Sequence, residues 1–229
     1  IVKVKEIETW GNTFDPSSEI SQVNKKASQK EVEINPDFFQ VLKYAKKFGN
    51  KTNGVFDITV QPLSNFYKDK NNRGKPLPRN IRKQVNYENI LLNEEKNTVY
   101  LKNKAQITLG GILNGYAVDE VIKILKKNKI EKALVNGGGN IYALGTNEKE
   151  ELWAIGIKDP QNKAKIWKTI KLQNQGVSTS GNYERGAHII NPGTEKPVLA
   201  TGSVTVVADS AMQADVLSTA IYVDNGLKD

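Results

Sequence analysis

The chain has 229 residues, a formal net charge of +8, a pI near 9.4 and no cysteine. That length allows one large domain or two small ones. The lack of thiols excludes a disulfide framework and a thiolate metal site, so any metal must sit on oxygen or on the only histidine, His188. Hard cations such as Mg²⁺ are the natural candidates for such donors. The lysines are scattered, as in KDKNNRGK and IKDPQNKAKIWK, which reads as a solvated surface and not as a nucleic-acid track. No apolar run is long enough to cross a bilayer, and the opening IVKVKEIETWGN does not read as a signal peptide.

The chain starts with apolar and charged residues alternating in IVKVKEI, then leads through Trp10 and Phe14 to FDPSSEISQVN. Asp15, Ser17 and Ser18 offer caps for a short helical turn, with Glu19 early in it, and Asn24 reads as a turn residue. NPDFFQVLKYAKKFGN predicts an amphipathic helix: Phe38, Val41, Leu42, Ala45 and Phe48 share a face, Pro36 and Asp37 start it, and Gly49 marks its end. In NGVFDITVQPL, Asp57 and Thr59 stand among apolar neighbours and need partners, either backbone or a ligand. Residues 68–79 read as a polar surface excursion, 81–93 as a short helix and the strand NILLN, and TVYLKN as the partner strand of a hairpin turning at Glu94–Asn97.

Residues 107–140 form the unit around which the rest is arranged. An apolar run, Ile107 to Leu109, reads as a strand that meets Gly110 and Gly111. Ala117, Val118, Val121, Ile122 and Leu125 then fall at helical spacing, with Lys123, Lys126 and Lys127 largely opposite. Ala133 to Val135 read as a second buried strand, closed by Asn136 and the triplet Gly137 to Gly139. Glycine turns at helix N-termini suit an anionic ligand, although neither the Rossmann spacing nor the phosphate-loop motif is present.

Trp153, Ile155 and Ile157 alternate in a strand, with IWKTIKLQN as its antiparallel neighbour. A strand and turn segment follows, GVSTSGNYERGAHIINPGTEKPV, and His188 beside Ile189 and Ile190 reads as a core side chain. Val204 to Val207 form a strand, and from Ser210 the positions Ala211, Ala214, Leu217, Ser218 and Ile221 are helical. Asp215 and Thr219 stand four apart on that helix, so a carboxylate and a hydroxyl can share a hard cation. By spacing alone the local alternative is stronger: Thr219 bonding the carbonyl four residues back, and Asp215 exposed or paired to a lysine. The mixed order of elements predicts an α+β fold with a mostly antiparallel sheet packed with helices.

Together these segments resemble the ApbE family, the FAD:protein FMN transferases, over nearly the whole chain. The motifs stand in the family's order: FDPSSEISQVN, NGVFDITVQPL, TLGGILNGYAVDE, VNGGGNIYALG, WAIGIKDP, STSGNYER with HIINPGTEKPV, and ADVLSTAIYV. The resemblance implies a single ApbE-like domain over residues 1–229 with a T-fold-like architecture, without the family's first strand and the segments after its last helix. It implies an Mg²⁺-dependent enzyme that takes FAD as substrate, joins FMN through a phosphoester to a Thr or Ser of a partner redox protein, and releases AMP. Asp215 and Thr219 would be side-chain metal ligands, with carbonyls near Leu113 and Ser218 completing the shell. Phe14, Val55, Phe56, Asp57, Gly110, Tyr116, His188 and Ile189 would line the flavin site, with His188 near the phosphates or adenosine and counted with Asp215 and Thr219 as catalytic. Thr108 stands where the family has Asp, Asn114 where it has Lys, and Phe14 where a polar aromatic is commoner. The resemblance also implies a place outside the cytoplasmic membrane, held by an N-terminal lipid that lies outside this chain. Hydrolysis of FAD to FMN and AMP, and non-catalytic flavin binding, are the competing readings; nucleic acid is not an expected partner.

Overall fold

The computed structural model describes residues 2–162, 164–183 and 186–225. It divides into two compact units, one of Ile1–Gly110 with His188–Val198, the other of Gly111–Ala187 with Leu199–Asp229. Glu184 and Arg185 of the STSGNYER motif lie outside the described residues. In chain order the elements are α1 (Val2–Gly11), α2 (Glu19–Lys26), β1 (Val32–Glu33), α3 (Pro36–Lys51), α4 (Gln61–Lys68), α5 (Arg79–Gln84), β2 (Ile90–Asn93), β3 (Thr98–Leu101), α6 (Leu113–Lys127), β4 (Ala133–Gly137), β5 (Asn140–Leu144), β6 (Trp153–Lys158), β7 (Ile166–Leu172), β8 (Gln175–Gly181), β9 (Ile190–Asn191), β10 (Lys196–Pro197), β11 (Ser203–Ala208) and α7 (Ala211–Asn225). Every pairing between these strands is antiparallel, in line with the α+β expectation.

The first unit is mainly helical. Its largest element, α3, buries Phe38, Val41, Leu42, Ala45 and Phe48 on one face, as the spacing requires. The phenylalanine, valine and leucine side chains each contribute roughly 1.5–3 kcal/mol through burial. Asn35 caps this helix by accepting from the amides of Asp37 and Phe38, and the helix runs two residues past Gly49. Gly49 has a packing role instead, because a Cβ there would lie 2.7 Å from the Tyr87 ring.

The alternation at the chain start does not make a strand. Val2 and Val4 are exposed while Ile7 and Trp10, three apart, are buried, so helical burial decides the element. Ser18 caps α2 as expected. Asn24, expected in a turn, lies inside α2, and its amide takes both backbone groups of Ile107: Oδ1 accepts from Ile107 N at 2.7 Å and Nδ2 donates to its carbonyl at 2.9 Å. These bonds occupy the backbone of the run read as a strand. Residues 107–109 join no sheet among the described residues; Thr108 N donates to Ile58 O, and an isolated bridge links Val60 and Gln106. The β2–β3 hairpin forms as predicted, and β1 adds to β3.

The second unit is a four-stranded sheet in the order β11-β8-β5-β4. Helices α6 and α7 pack together and against its strands, with Val118, Ile122, Tyr142, Leu144 and Ala211 as a shared core. A second core of Ala143, Ile155, Leu172 and Val177 joins β5 and β8 to the β6–β7 hairpin. The strand expected to be buried, β4, is a half-exposed edge with Leu134 42% exposed, because nothing pairs beyond it among the described residues. Its glycine triplet closes a two-residue hairpin onto β5: Gly137 pairs with Asn140, while Gly138 (φ +66°) and Gly139 (φ +98°) supply the left-handed turn.

A buried acid and hydroxyl centre

The candidate site residues include two buried aspartates, one in each unit. In the first unit, Asp57 accepts from the amide of Thr59 at 2.7 Å and from its hydroxyl at 2.6 Å. The Thr59 Oγ1 accepts in turn from Asn86 N at 2.9 Å. Burial pushes the Asp57 carboxyl above the usual range, partly offset by these donors and by the Tyr87 amide. The partners that the sequence demanded for Asp57 and Thr59 are thus each other and the backbone of Asn86 and Tyr87.

Around this loop, Phe56 is buried and Val55 half-buried. Phe14 is 87% exposed, with the Lys68 ammonium 5.9 Å from its ring centroid. Gly110 is exposed. His188 is exposed too, which corrects the expectation of a core histidine; the apolar neighbours face elsewhere, Ile190 buried in β9 and Ile189 half-buried with its carbonyl accepting from Val198 N. The β9–β10 turn is closed by Asn191, which accepts from Gly193 N and Thr194 N, and is tied to α5 by Glu195 and Arg82 at 3.2 Å.

In the second unit, α6 and α7 approach so closely that a Cβ on Gly115 would lie 2.5 Å from the Ala211 carbonyl oxygen. On the other side of α7, a Cβ on Gly176 of β8 would lie 2.4 Å from Ala211 N. Both positions require glycine for packing, since their φ angles are ordinary. The start of α7 is held by α6: Asp119 accepts from Ala211 N at 2.8 Å and Met212 N at 2.9 Å, and Ser210 Oγ takes Gln213 N. An acid across from a helix start satisfies amides that the helix itself leaves open.

One turn into α7, Asp215 is 5% exposed and its Oδ2 accepts from Gly115 N at 3.2 Å. Burial pushes its carboxyl up to about 7; the Gly115 amide and the Asn140 side chain oppose the rise, and the negative charge of Asp119 adds to it. Neither local alternative weighed from the sequence holds, for Asp215 is not exposed and none of the ion pairs found among the described residues involves it. The side-chain hydroxyl that bonds the Asp215 carbonyl is that of Ser218, at 3.0 Å, while the Thr219 hydroxyl turns to Ser180. Ser218 shares a bond with Ser180 at 2.9 Å and lies 3.3 Å from Ser178, and Thr219 meets Ser180 at 3.2 Å.

The hydroxyl cluster follows from strand periodicity: Ser178 and Ser180, two apart on β8, point to α7, while Thr179 between them bonds Thr205 of β11. Leu113 begins α6 two residues before Gly115. Tyr116, expected to line the flavin, is buried on that helix with 7% exposure. The structure therefore gathers Asp215, Ser218 and Thr219 in one centre and adds Ser178, Ser180, Asn140 and Asp119. The sequence reading missed these four, although the i, i+2 serines of GVSTSG and the acid of GYAVDE were the signals. Among the described residues no three His, Cys, Asp or Glu side chains cluster as a metal site, so any ion here would rest on hydroxyls, carbonyls and a single carboxylate.

The architecture is that of an α+β protein whose helix pair covers an antiparallel sheet and encloses an acid among hydroxyls. The sequence pattern of the ApbE family matches residues 1–228, and the chain belongs to that family. It is 30% identical to an FAD:protein FMN transferase of Haemophilus influenzae, the match covering 96% of this chain and 70% of that one. Among solved structures it is similar to the ApbE protein of Thermotoga maritima (TM-score 0.87, 30% identity, 97% of this chain and 76% of that one). It is likewise similar to the flavin transferase ApbE of Vibrio cholerae (TM-score 0.84, 27% identity, 98% and 77%).

Proposed function

We propose that the centre between α6 and α7 is where this enzyme holds a divalent cation, Mg²⁺ by preference, to transfer FMN from FAD to a hydroxyl of a partner protein. The chain is an FAD:protein FMN transferase, the activity named for its relatives in the ApbE family. The observation that carries the cation reading is Asp215, a buried carboxylate beside a row of hydroxyls and outside every ion pair found among the described residues. A buried carboxyl of that kind ionises most readily beside a counter-charge, and hard oxygen donors suit Mg²⁺.

Asp215 and Thr219 would hold the ion with their side chains, and Leu113 and Ser218 with their carbonyls. When bound, the ion supplies charge neutralisation for a diphosphate under in-line attack. Phe14, Val55, Phe56, Asp57, Gly110, Tyr116, His188 and Ile189 are assigned to the flavin and its phosphates. In the transfer, the acceptor oxygen forms a bond to the phosphorus on the FMN side as the bond from that phosphorus to the bridging oxygen breaks. AMP leaves with the bridging oxygen, and His188 is assigned to take the hydroxyl proton as general base. The acceptor is a redox protein with an exposed Thr or Ser. A location outside the cytoplasmic membrane, on a lipid anchor, belongs to the same proposal; no helix among the described residues is long and apolar enough to cross a membrane.

The test is intact-mass analysis after incubation with FAD and Mg²⁺, with and without an acceptor domain. The expected result is an acceptor heavier by one FMN unit and equimolar AMP. Free FMN and AMP with an unmodified acceptor would replace transfer by hydrolysis, and FAD retained without AMP would remove catalysis.

A further inference from the structure

Asn140 has no place among the residues assigned to the cation, yet the strand register puts it on the same face. Tyr142 of β5 pairs directly with Gly176 of β8, so these two share a side of the sheet. Two residues back from Tyr142 is Asn140, and two and four residues on from Gly176 are Ser178 and Ser180. All three therefore project to the side on which Ser178 and Ser180 meet Ser218 and Thr219 of α7. Asn140 is 6% exposed, and its side chain opposes the rise that burial imposes on the Asp215 carboxyl, so the two groups are neighbours. The end of the amide that favours the ionised carboxyl is the NH₂ group, because a carboxylate can only accept. The other end, Oδ1, is buried and has no hydrogen-bond partner among the described residues.

A buried amide oxygen beside a buried carboxylate concentrates negative potential, and buried acceptors are nearly always matched. A neighbouring donor would relieve one of these groups; a cation would relieve both. The backbone under Asn140 is fixed in advance. Asn140 closes the glycine hairpin opposite Gly137, whose Cβ would lie 2.8 Å from Val118 of α6, and the turn is braced by Gly139 N donating to Asn136 Oδ1 at 3.0 Å.

We infer that Asn140 is a further ligand of the cation site, its Nδ2 holding Asp215 while its Oδ1 binds the ion. This rests on the cation reading proposed above. Side-chain amide oxygens are ordinary ligands for hard cations, and this one adds an oxygen without adding charge.

The experiment is a titration of the chain with Mn²⁺ at pH 8, read by the loss of the free-ion EPR signal, with near-UV circular dichroism to verify packing. Wild type is expected to bind one Mn²⁺ and Asp215→Ala to lose it. Asn140→Ala should weaken binding tenfold or more. Asn140→Asp decides between the two ends of the amide, since it keeps the oxygen, adds a charge and discards the NH₂ group. As a ligand it binds Mn²⁺ at least as tightly as wild type. A folded Asn140→Asp that binds as weakly as Asn140→Ala would overturn the assignment, leaving Asn140 only as a donor to Asp215. Wild-type affinity in Asn140→Ala would overturn it as well. A wild-type chain that takes up no Mn²⁺ would remove the cation site itself, a failure visible before any Asn140 variant is compared.

Discussion

Asp57 and Asp215 are both buried and both held above the usual carboxylate range, but only one of them is closed off. Asp57 is surrounded by donors, Thr59 of its own loop twice and the Tyr87 amide from beyond α5, so its burial is balanced within the first unit. Among the described residues Asp215 receives one long backbone bond, with the Asn140 amide and a second carboxylate acting on it. A buried acid saturated by nearby donors organises a loop. One left under-coordinated beside hydroxyls is poised to accept a counter-charge.

The contrast is broken most directly by removing each acid. Asp215→Ala should lower Mg²⁺-dependent AMP release from FAD by more than about a hundredfold with the fold retained, since the only carboxylate assigned to the ion is gone. Asp57→Ala should instead cost about 1–3 kcal/mol of stability, because the Thr59 and Tyr87 donors lose their acceptor. Mn²⁺ binding should survive in that variant. A folded Asp57→Ala unable to bind Mn²⁺ would erase the distinction.

The next effect in size is Gly115→Ala. Its methyl meets the Ala211 carbonyl oxygen and Met212 Cα at 2.5 and 2.6 Å, both backbone, so the helices must separate. A loss of about 1–3 kcal/mol is expected in denaturant unfolding, together with weaker Mn²⁺ binding, because the Asp215 to Gly115 contact spans the same gap. Asp119→Ala should cost about 1–2 kcal/mol through the two amides it leaves open at the start of α7.

The pH dependence sharpens the comparison further. Asp215 has its carboxyl pushed to about 7 from an ordinary 3.8. Between these values the folded chain keeps a proton that the unfolded chain has released. The stabilisation from this group is therefore full below pH 4, falls as pH rises towards 7 and is gone above it, at roughly 1.4 kcal/mol per pH unit between the two values. Asp215→Asn should flatten that part of the cation-free stability profile. A profile parallel to wild type would show that the acid is ionised throughout. The smallest effect belongs to Ser180→Ala, where a few-fold weaker Mn²⁺ affinity is expected because Ser180 braces Thr219 without being a ligand itself.

Much of the fold was legible in periodicity. Phe38 to Phe48, Val118 with Ile122, and the alternating Trp153 to Ile157 stand at spacings that only one element satisfies, and each forms it. The failures share a cause. IVKVKEI alternates but is helical, Ile107–Leu109 is apolar but unpaired in a sheet, and β4 is apolar but lies at an edge. In all three the neighbours decide, and local spacing carries no information about which neighbour arrives.

The site divides the same way. Resemblance named Asp215, Ser218 and Thr219, whose spacing alone could not tell a ligand set from an ordinary helix face. His188 was read as core from its apolar neighbours, which turn inward while it faces solvent.

By itself the sequence determined the family, the helices and hairpins with strong periodicity, and the absence of thiol chemistry, because these depend on residue identity and on spacings of a few positions. Only the tertiary structure decided that Asp119 anchors α7, that Asn140 shares a face with Ser178 and Ser180, and that Asp215 is enclosed while Asp57 is already satisfied. Each of those facts joins residues far apart in the chain, and burial and hydrogen-bond balance exist only once such residues have met.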